Sequence, residues 1–340
     1  MQFNEIIELC LKEKLFFTEP FRIIANKNGG QSITFKISDA NGNLKWMVKF
    51  FDYLKDIRSY FQTNLIDNYN SLYDFLENIE NAGDFPYNIE DIIDYVELQK
   101  RCFDRYIQVS KIKDLCCFPQ IVYFDDEVKI DDSFYGLLIE EFVIGETLEQ
   151  KMKSPIENKA TFTFDFLFQL GNLLEKLSLH GIIHRDISPD NIIISDNTYL
   201  LIDPGVVKLD DGAFTKSHMI LGKRCYASPE QYFGNAKRAT FGSDLYAVGI
   251  IALEIILGYN PLFKIISEGD TASPHKELIR RYDREIEDDI FRSIEENDFT
   301  SRLVLIIKKL IQIEERNRFD SVNSFILALN TMERMVDTNE

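Results

Sequence analysis

Positive charge is scarce in this sequence. Its 340 residues include 38 Lys and Arg against 56 Asp and Glu, which gives a formal net charge of −18. Proteins that bind nucleic acid, or that attach electrostatically to anionic membranes, do so through basic surfaces. The charge balance therefore argues against both kinds of partner, whereas it is compatible with a basic protein as substrate or partner.

Cysteine motifs are also lacking. The five cysteines are odd in number, and no two of them form a Cys-Xaa-Xaa-Cys motif. Neither a disulfide framework nor a zinc site is expected from this pattern, and a reducing cytoplasm is the expected location of the protein.

No stretch predicts a signal peptide or a membrane span. Residues 1–14 have mixed charge and no apolar core. The longest apolar run, residues 245–257, is interrupted by Glu254 and is shorter than the roughly 20 residues of a spanning helix. This run predicts a buried helix. Apolar residues make up 45% of the chain, which is enough for the core of one large or two small domains.

Three polar residues with a particular spacing stand out between residues 180 and 205. Asp186 and Asn191 share one loop, and Asp203 follows a second apolar run. The segments 192–194 and 200–202 are rich in Ile and Leu, which predicts two short buried strands that frame the loop. Carboxylate and amide oxygens suit Mg²⁺, and a further carboxylate can orient an attacking hydroxyl. Either the spacing of Asp186 and Asn191 alone or the sequence Asp-Pro-Gly at 203–205 alone would indicate only a turn.

The motif His-Arg-Asp at residues 184–186, with Asn191 and Asp203, resembles the catalytic and metal-binding loops of the protein kinases. The resemblance covers roughly residues 21–333. Further segments resemble kinase motifs in the order that the family has: the lysine strand at 46–49, the end of the activation segment at 228–230, Asp244 as the anchor of the catalytic loop, and Arg318 as the partner of Glu230.

This resemblance implies an α+β, two-lobed protein-kinase-like fold, with a small β-rich N-lobe and a mostly helical C-lobe. The expected parts are a helical extension at 1–20, the N-lobe at 21–143 and the C-lobe at 144–340. Residues 54–100 depart from the family as an insertion before the helix called αC. Between residues 61 and 100 there are nine Asp or Glu against one Lys, so we expect an acidic helical insertion packed on the N-lobe. It is either a solvated face or a docking surface for a basic protein partner.

The resemblance also implies the reaction, an ATP-dependent and Mg²⁺-assisted transfer of the γ-phosphate to Ser or Thr hydroxyls of a protein. Asp186 would orient the substrate hydroxyl, Asn191 and Asp203 would hold Mg²⁺, and Lys49 would hold the α and β phosphates. Further ATP contacts are expected from a hairpin turn and from the hinge after the fifth strand: Lys27, Gly29, Gly30, Glu141 and Val143.

Several positions differ from the family pattern. The turn keeps Gly29 as the middle glycine, but Lys27 and Ser32 stand at the outer glycine positions. The glutamate that should pair with Lys49 is not assigned by the sequence: Glu97 and the range 104–108 are candidates. Glu140 stands at the gatekeeper position, where an apolar residue is more usual.

Two further differences lie beside the catalytic loop. Pro204 follows Asp203, and a residue before proline is expected to be extended. Ser188 stands where serine/threonine kinases carry lysine, and Lys223 stands where they carry threonine. Our hypothesis is that Lys223 reaches Asp186 or the γ-phosphate and acts as the missing catalytic lysine. The alternative is that both positions have drifted in a weakly active enzyme.

Three other functions stay open. A pseudokinase, which would bind nucleotide or proteins as a scaffold, is favoured by the altered glycine turn and opposed by the presence of Lys49, Asp186, Asn191 and Asp203 together. A small-molecule kinase is opposed by the Ser-Pro-Glu motif at 228–230 and by Arg318, which resemble parts of a peptide-substrate platform. Nothing in the sequence favours transfer of AMP.

Overall fold

The structure is a computed structural model, which describes residues 2–26, 32–55, 57–58, 69–79, 88–112, 115–196, 198–203, 224–232, 239–269 and 272–337. Within these ranges the chain forms two units, the first ending at Ile144 and the second beginning at Gly145. The first is built on a β-sheet and the second is mostly helical, so the predicted α+β class is confirmed.

An antiparallel sheet of five strands forms the first unit, in the order β1-β2-β3-β5-β4. Side chains alternate between its two faces, as they must in a strand. On β3, Val48 and Phe50 pack on one face, whereas Lys49 and Phe51 lie on the other. The strands are β1 (Phe21–Asn26), β2 (Ser32–Asp39), β3 (Leu44–Asp52), β4 (Ile121–Ile130) and β5 (Ser133–Glu141).

A helix from the N-terminal segment covers one face of this sheet. Helix α1 (Phe3–Leu9) continues into a π-helical turn (Cys10–Lys14). Its apolar residues, such as Ile7 and Leu11, are fully buried against Val48 and Phe50. The extension at the start of the chain therefore contributes to the hydrophobic core of the first unit.

Two helices cover the opposite face. Helix α2 (Leu72–Glu77) lies within the range 54–100. Helix α3 (Ile89–Ser110) follows α2 and begins within the same range. The side chain of Asn88 accepts a hydrogen bond from the backbone N–H of Glu90, which caps the start of α3. Phe103 of α3 approaches the sheet at Gly136 of β5, where a Cβ atom would lie 2.8 Å from the Phe103 ring. A glycine at this position therefore allows α3 to pack closely.

Helices dominate the second unit. A small sheet, β6-β7-β8, lies beside them. Its strands are β6 (Glu146–Thr147), β7 (Ile192–Ser195) and β8 (Thr198–Leu201). The helices are α4 (Leu148–Met152), α5 (Lys159–Leu179), α6 (Pro229–Tyr232), α7 (Phe241–Leu257), α8 (Pro261–Glu268), α9 (Pro274–Arg281), α10 (Glu287–Ser293), α11 (Asp298–Leu310) and α12 (Val322–Asp337).

Helix α7 is the buried helix that the apolar run predicted. Nearly all of its residues, from Gly242 to Ile256, are buried. Gly249 faces α11 so closely that a Cβ atom there would lie 2.7 Å from the Cβ of Leu310. The chain leaves α7 at Gly258, whose φ of +78° is readily adopted by glycine.

None of the helices in the described ranges could span a membrane by itself, although α7 and α8 together have the length and composition and are bent by 93° at the break between them.

The packing of α1 on the sheet can be tested with two leucines of the same segment. Leu11 is fully buried and Leu9 is 43% exposed. Leu11→Ala is expected to lower the free energy of unfolding of the first unit by about 2–4 kcal/mol, because it leaves a cavity in the core. Leu9→Ala should change it by less than about 1 kcal/mol. Urea unfolding followed by circular dichroism measures both values, and equal losses in the two variants would contradict the packing described here.

Candidate functional site

The loop between α5 and β7 holds Asp186 and Asn191 together. After α5, Gly181 turns the chain with a φ of +67°, and a 3₁₀ turn (Pro189–Asn191) leads into β7. The side-chain amide of Asn191 donates to the backbone carbonyl of Asp186 at 2.9 Å and to its Oδ2 at 3.0 Å. Asn191 is almost completely buried, so it fixes the orientation of the Asp186 carboxylate.

Asp244, in the first turn of α7, anchors the backbone of this loop. Its two oxygens accept hydrogen bonds from the backbone N–H groups of His184 and Arg185, each at 2.8 Å. This confirms the role expected for Asp244. Burial raises the pKa of Asp244 to about 7, although the two N–H donors favour the ionised form and oppose that rise.

The anchored backbone is strained. Arg185 has a φ of +67°, in the left-handed region that is uncommon for residues other than glycine. Its carbonyl accepts a hydrogen bond from the side chain of Gln231 at 2.9 Å, in addition to the bond from its N–H to Asp244. Both polar groups of this peptide backbone are therefore held by side chains, which keeps the strained conformation in place.

Asp203 follows β8, and its loop is tied to the first one. The backbone N–H of Ile202 donates to the carbonyl of Asn191 at 2.9 Å. Asp203 has a φ of +51°, so the expectation that Pro204 would keep it extended was wrong. Aspartate is one of the few residues that tolerate the left-handed region, since its short side chain can bond locally. Pro204 itself lies outside the described residues.

An ion pair fixes the segment that ends at Glu230. Both terminal nitrogens of Arg318 donate to the two oxygens of Glu230, at 2.8 and 2.9 Å, which confirms the predicted pair. The Arg318 side chain is fully buried and also donates to backbone carbonyls, including that of Gly242. Burial alone would raise the pKa of Glu230, but Arg318 and the hydroxyl of Ser243 outweigh it and lower the pKa to about 2.

A second group of polar side chains lies in the first unit, around Lys49. Lys49 is 4% exposed and is on the face of β3 that packs against α3. Its Nζ lies 2.7 Å from Oε1 of Glu140 and donates to the hydroxyl of Tyr106 at 3.3 Å. The Tyr106 hydroxyl in turn donates to Oε2 of Glu140 at 2.7 Å. Lysine, glutamate and tyrosine thus form a closed ring of buried contacts.

The acidic residues of α3 that were candidates to pair with Lys49 lie away from it. Glu97 is largely exposed and lies 3.9 Å from Arg101, and Asp104 is exposed. The range 104–108 contains the residue that does reach Lys49, but it is Tyr106. Sequence reasoning missed the role of Glu140, although a signal was present. If β3 and β5 are paired, Glu140 falls two residues beyond the position opposite Lys49, on the same face of the sheet.

The predicted hinge residues begin at Glu141, the last residue of β5. The N–H of Glu141 donates to the carbonyl of Gln120, and the N–H of Phe142 donates to the carbonyl of Lys45, both at 2.9 Å. These bonds fix the strand end before Val143.

Four of the predicted site residues, Lys27, Gly29, Gly30 and Lys223, lie outside the described residues. Ser188, the position whose missing lysine Lys223 is predicted to replace, lies within the described residues. It is buried, and its hydroxyl donates to Oδ1 of Asp190 at 2.6 Å.

Oxygen atoms suited to Mg²⁺ are present in the second unit. Because the amide nitrogen of Asn191 is bonded to Asp186, its carbonyl oxygen is the atom that can face a cation, and Asp203 supplies a carboxylate. This pair fits the preference of Mg²⁺ for a few protein oxygens alongside phosphate and water. No group of three or more His, Cys, Asp or Glu that could hold a metal occurs in the described part of the chain.

A comparison with protein families matches the protein kinase domain to residues 96–326, well over half of the chain. The chain belongs to the protein kinase family. The resemblance inferred from the motifs is thereby confirmed, and the matched range of the kinase includes Asp186, Asn191, Asp203, Asp244 and Arg318.

Several curated relatives of this chain are bacterial. A probable serine/threonine-protein kinase PknB of Lactococcus lactis is 33% identical over 45% of this chain and 23% of its own length. The serine/threonine-protein kinase D of Synechocystis is 30% identical over 59% of this chain and 36% of its own length. This kinase therefore spans well under half the length of these curated relatives.

Solved structures show the same fold. The crystal structure of the Mycobacterium tuberculosis PknI kinase domain matches with a TM-score of 0.53 and 14% identity, over 92% of this chain and 96% of that one. At this identity the likeness establishes the fold alone. It agrees with the small β-rich first unit and the mostly helical second unit of this kinase.

The Glu230–Arg318 pair predicts a pH dependence of stability. The pKa of Glu230 is lowered from 4.5 to about 2 in the folded chain. The ionised carboxylate therefore stabilises the fold above about pH 4.5, and this contribution is lost as the pH falls through about 2. Glu230→Gln should lower the free energy of unfolding at neutral pH by about 3 kcal/mol, because Arg318 stays buried without its counter-charge.

The difference in unfolding free energy between wild type and Glu230→Gln should shrink as the pH is lowered across that window, as measured by urea unfolding at each pH. The exposed Glu157 provides a control, since Glu157→Gln should shift stability by less than about 0.5 kcal/mol at every pH. A difference that stays constant down to pH 2 would show that Glu230 is not held ionised by Arg318.

Proposed function

We propose that this chain is an ATP-dependent protein kinase that transfers the γ-phosphate of ATP, with Mg²⁺, to Ser or Thr hydroxyls of a protein substrate. The observation that carries the proposal is the Asp186 carboxylate, oriented by the buried amide of Asn191 in a loop that Asp244 anchors. Phosphoryl transfer depends mainly on positioning and charge stabilisation, which is what such a rigid loop provides. The curated relatives, which are named serine/threonine-protein kinases, support the choice of Ser and Thr.

The proposed roles follow the chemistry of each side chain. Asp186 accepts the hydrogen bond of the substrate hydroxyl and orients its oxygen for attack. The oxygens of Asn191 and Asp203 hold Mg²⁺, which when bound neutralises charge on the phosphates. Lys49 contacts the α and β phosphates with its ammonium group.

Other parts of the proposal rest on the family pattern. The backbone at Gly29 and Gly30, with Lys27 beside it, would cover the phosphates, and the backbone from Glu141 to Val143 would bind adenine. Lys223 remains our candidate for the lysine that serine/threonine kinases carry at the position of Ser188. A cytoplasmic location and a basic protein partner at the acidic segment 54–100 also remain predictions.

Phosphoryl transfer tests this proposal directly. Purified protein is incubated with γ-labelled ATP, Mg²⁺ and a generic acceptor, histone or casein, and label in protein is measured. Asp186→Asn should lower the rate by at least about a hundredfold, because an amide cannot accept the proton as the carboxylate does. Asp196→Asn makes the same chemical change in an exposed turn with a φ of +45°, which asparagine also adopts, and should leave the rate unchanged.

The other outcomes decide between the alternatives. Phosphoamino-acid analysis of the labelled acceptor identifies the hydroxyl, and phosphotyrosine alone would contradict the Ser/Thr assignment. If wild type transfers no label but ATP and Mg²⁺ raise its melting temperature, the chain binds nucleotide as a pseudokinase. If it neither transfers label nor binds ATP, the proposed function is wrong.

A further inference from the structure

We propose that Glu140 of β5 is the positioning residue that holds Lys49 for its contact with the phosphates, with the hydroxyl of Tyr106 as a bridge between them. This inference rests on the proposed kinase function. In the family pattern, the glutamate that pairs with this lysine comes from the helix αC. In this chain, the carboxylate comes from a strand of the same sheet as the lysine.

The geometry is that of a single closed unit. Lys49 Nζ lies 2.7 Å from Glu140 Oε1, and the Tyr106 hydroxyl lies within hydrogen-bond distance of both, at 3.3 Å from the ammonium and 2.7 Å from Oε2. One carboxylate oxygen thus faces the lysine and the other accepts from the tyrosine. The carboxylate cannot rotate without losing one of these two contacts.

The register of the sheet places the two charges side by side. Lys49 is opposite Leu138, and Met47 is opposite Glu140, so Lys49 and Glu140 are diagonal neighbours on one face. Glu140 is also paired with Ile121 of β4 on its other side. Backbone hydrogen bonds on both edges of β5 therefore fix the carbon chain that carries the carboxylate.

Burial makes the pairing strong. The side chains of Lys49 and Glu140 are only 6% and 3% exposed. A buried charge is costly unless it is compensated, so the two charges stabilise each other. Water cannot replace the carboxylate as a partner of Lys49 as easily as it could at the surface, and the ammonium is held at one place.

Because the carboxylate comes from a strand, movement of α3 has a different effect on the ion pair of Lys49. Where a helix supplies the carboxylate, a shift of that helix breaks the ion pair with the lysine. Here α3 supplies a neutral hydroxyl, whereas the charge comes from β5. A shift of α3 would therefore remove the two hydrogen bonds of the Tyr106 hydroxyl and leave the ion pair intact.

Three variants test the role of Glu140. Glu140→Gln should weaken binding of ATP with Mg²⁺ by about tenfold to a hundredfold, because a charged partner of Lys49 is lost. Tyr106→Phe should weaken it by less than about fivefold, since the ion pair remains. The double variant Glu140→Gln with Tyr106→Glu moves the carboxylate from β5 to α3 and should recover most of the lost affinity. The dissociation constant is measured with a fluorescent ATP analogue, and KM and kcat by phosphoryl transfer.

Matched controls make the same chemical changes away from Lys49. Glu127→Gln alters a carboxylate of β4 that accepts from the N–H of Leu72, and Tyr53→Phe removes a buried hydroxyl that donates to the carbonyl of Asp126. Both should leave the affinity for ATP unchanged. Glu140→Asp keeps the charge and shortens the side chain by one methylene. It should retain a native circular dichroism spectrum and still raise the dissociation constant several-fold, so the test holds even if Glu140→Gln does not fold.

The outcomes separate this inference from the proposed function. If Glu140→Gln and Glu140→Asp bind ATP as wild type does and lose only thermal stability, Glu140 has a structural role and the inference is wrong, while the kinase function stands. The same holds if the double variant binds no better than Glu140→Gln. The dissociation constant can be measured without transfer, so a chain that binds ATP but transfers no phosphate would overturn the proposed function and still test Glu140. A wild type that does not bind ATP overturns both.

Discussion

A buried charge must have a partner, and this constraint determines how each functional segment is held. In the second unit, Asp244 is paired with two N–H groups of the loop that holds Asp186, and Arg318 is paired with Glu230. In the first unit, Lys49 is paired with Glu140. Each of these contacts joins an irregular segment or a reactive side chain to a regular helix or strand. Because loss of one partner removes a favourable contact from a buried polar group, such a contact resists the small displacements that would misplace a reactive atom.

Two residues with strained backbone conformations lie close to these contacts. Arg185 and Asp203 both have positive φ values, and both lie within or beside the loop that holds Asp186. A residue other than glycine in this region costs about 1–3 kcal/mol, so the surrounding structure must compensate. For Arg185 the compensation is visible, since Asp244 and Gln231 bind its N–H and its carbonyl. Arg185 directly precedes Asp186, whose carboxylate accepts a hydrogen bond from the side chain of Asn191.

The sequence predicted the second unit better than the first, for a physical reason. Asp186, Asn191, Asp244, Glu230 and Arg318 lie in motifs whose order and residue types are specific, and the contacts of Asp244 and Arg318 follow that pattern. The partner of Lys49 could not be found in this way. It depends on which strands pair and in what register, and β3 and β5 are separated by a long segment that includes α2, α3 and β4. Counting along the chain led to α3, where Tyr106 indeed reaches Lys49, but the charge is supplied by Glu140.

The backbone of Asp203 shows a second limit of local reasoning. The rule for a residue before proline describes steric preferences of an isolated dipeptide. Here the N–H of Ile202 donates to the carbonyl of Asn191, so the residue before Asp203 is held by the neighbouring loop. Such a local steric preference is readily overridden when tertiary contacts fix the residues on one side.

Placing the partner of Lys49 on a strand makes the rigidity of the sheet part of the site. A strand can hold a charge in place only if the sheet does not bend or slip, and both faces of this sheet are covered. Helix α1 and the π-helical turn after it pack on one face through Ile7 and Leu11, and α2 and α3 pack on the other through Phe75 and Phe103. The N-terminal extension and the described part of the segment before α3 therefore have a common physical effect, since both restrain the strands that carry Lys49 and Glu140. If a helix carried the glutamate, the position of that helix would decide whether the lysine is paired. In this chain, the pairing of Lys49 with Glu140 depends on the register between β3 and β5.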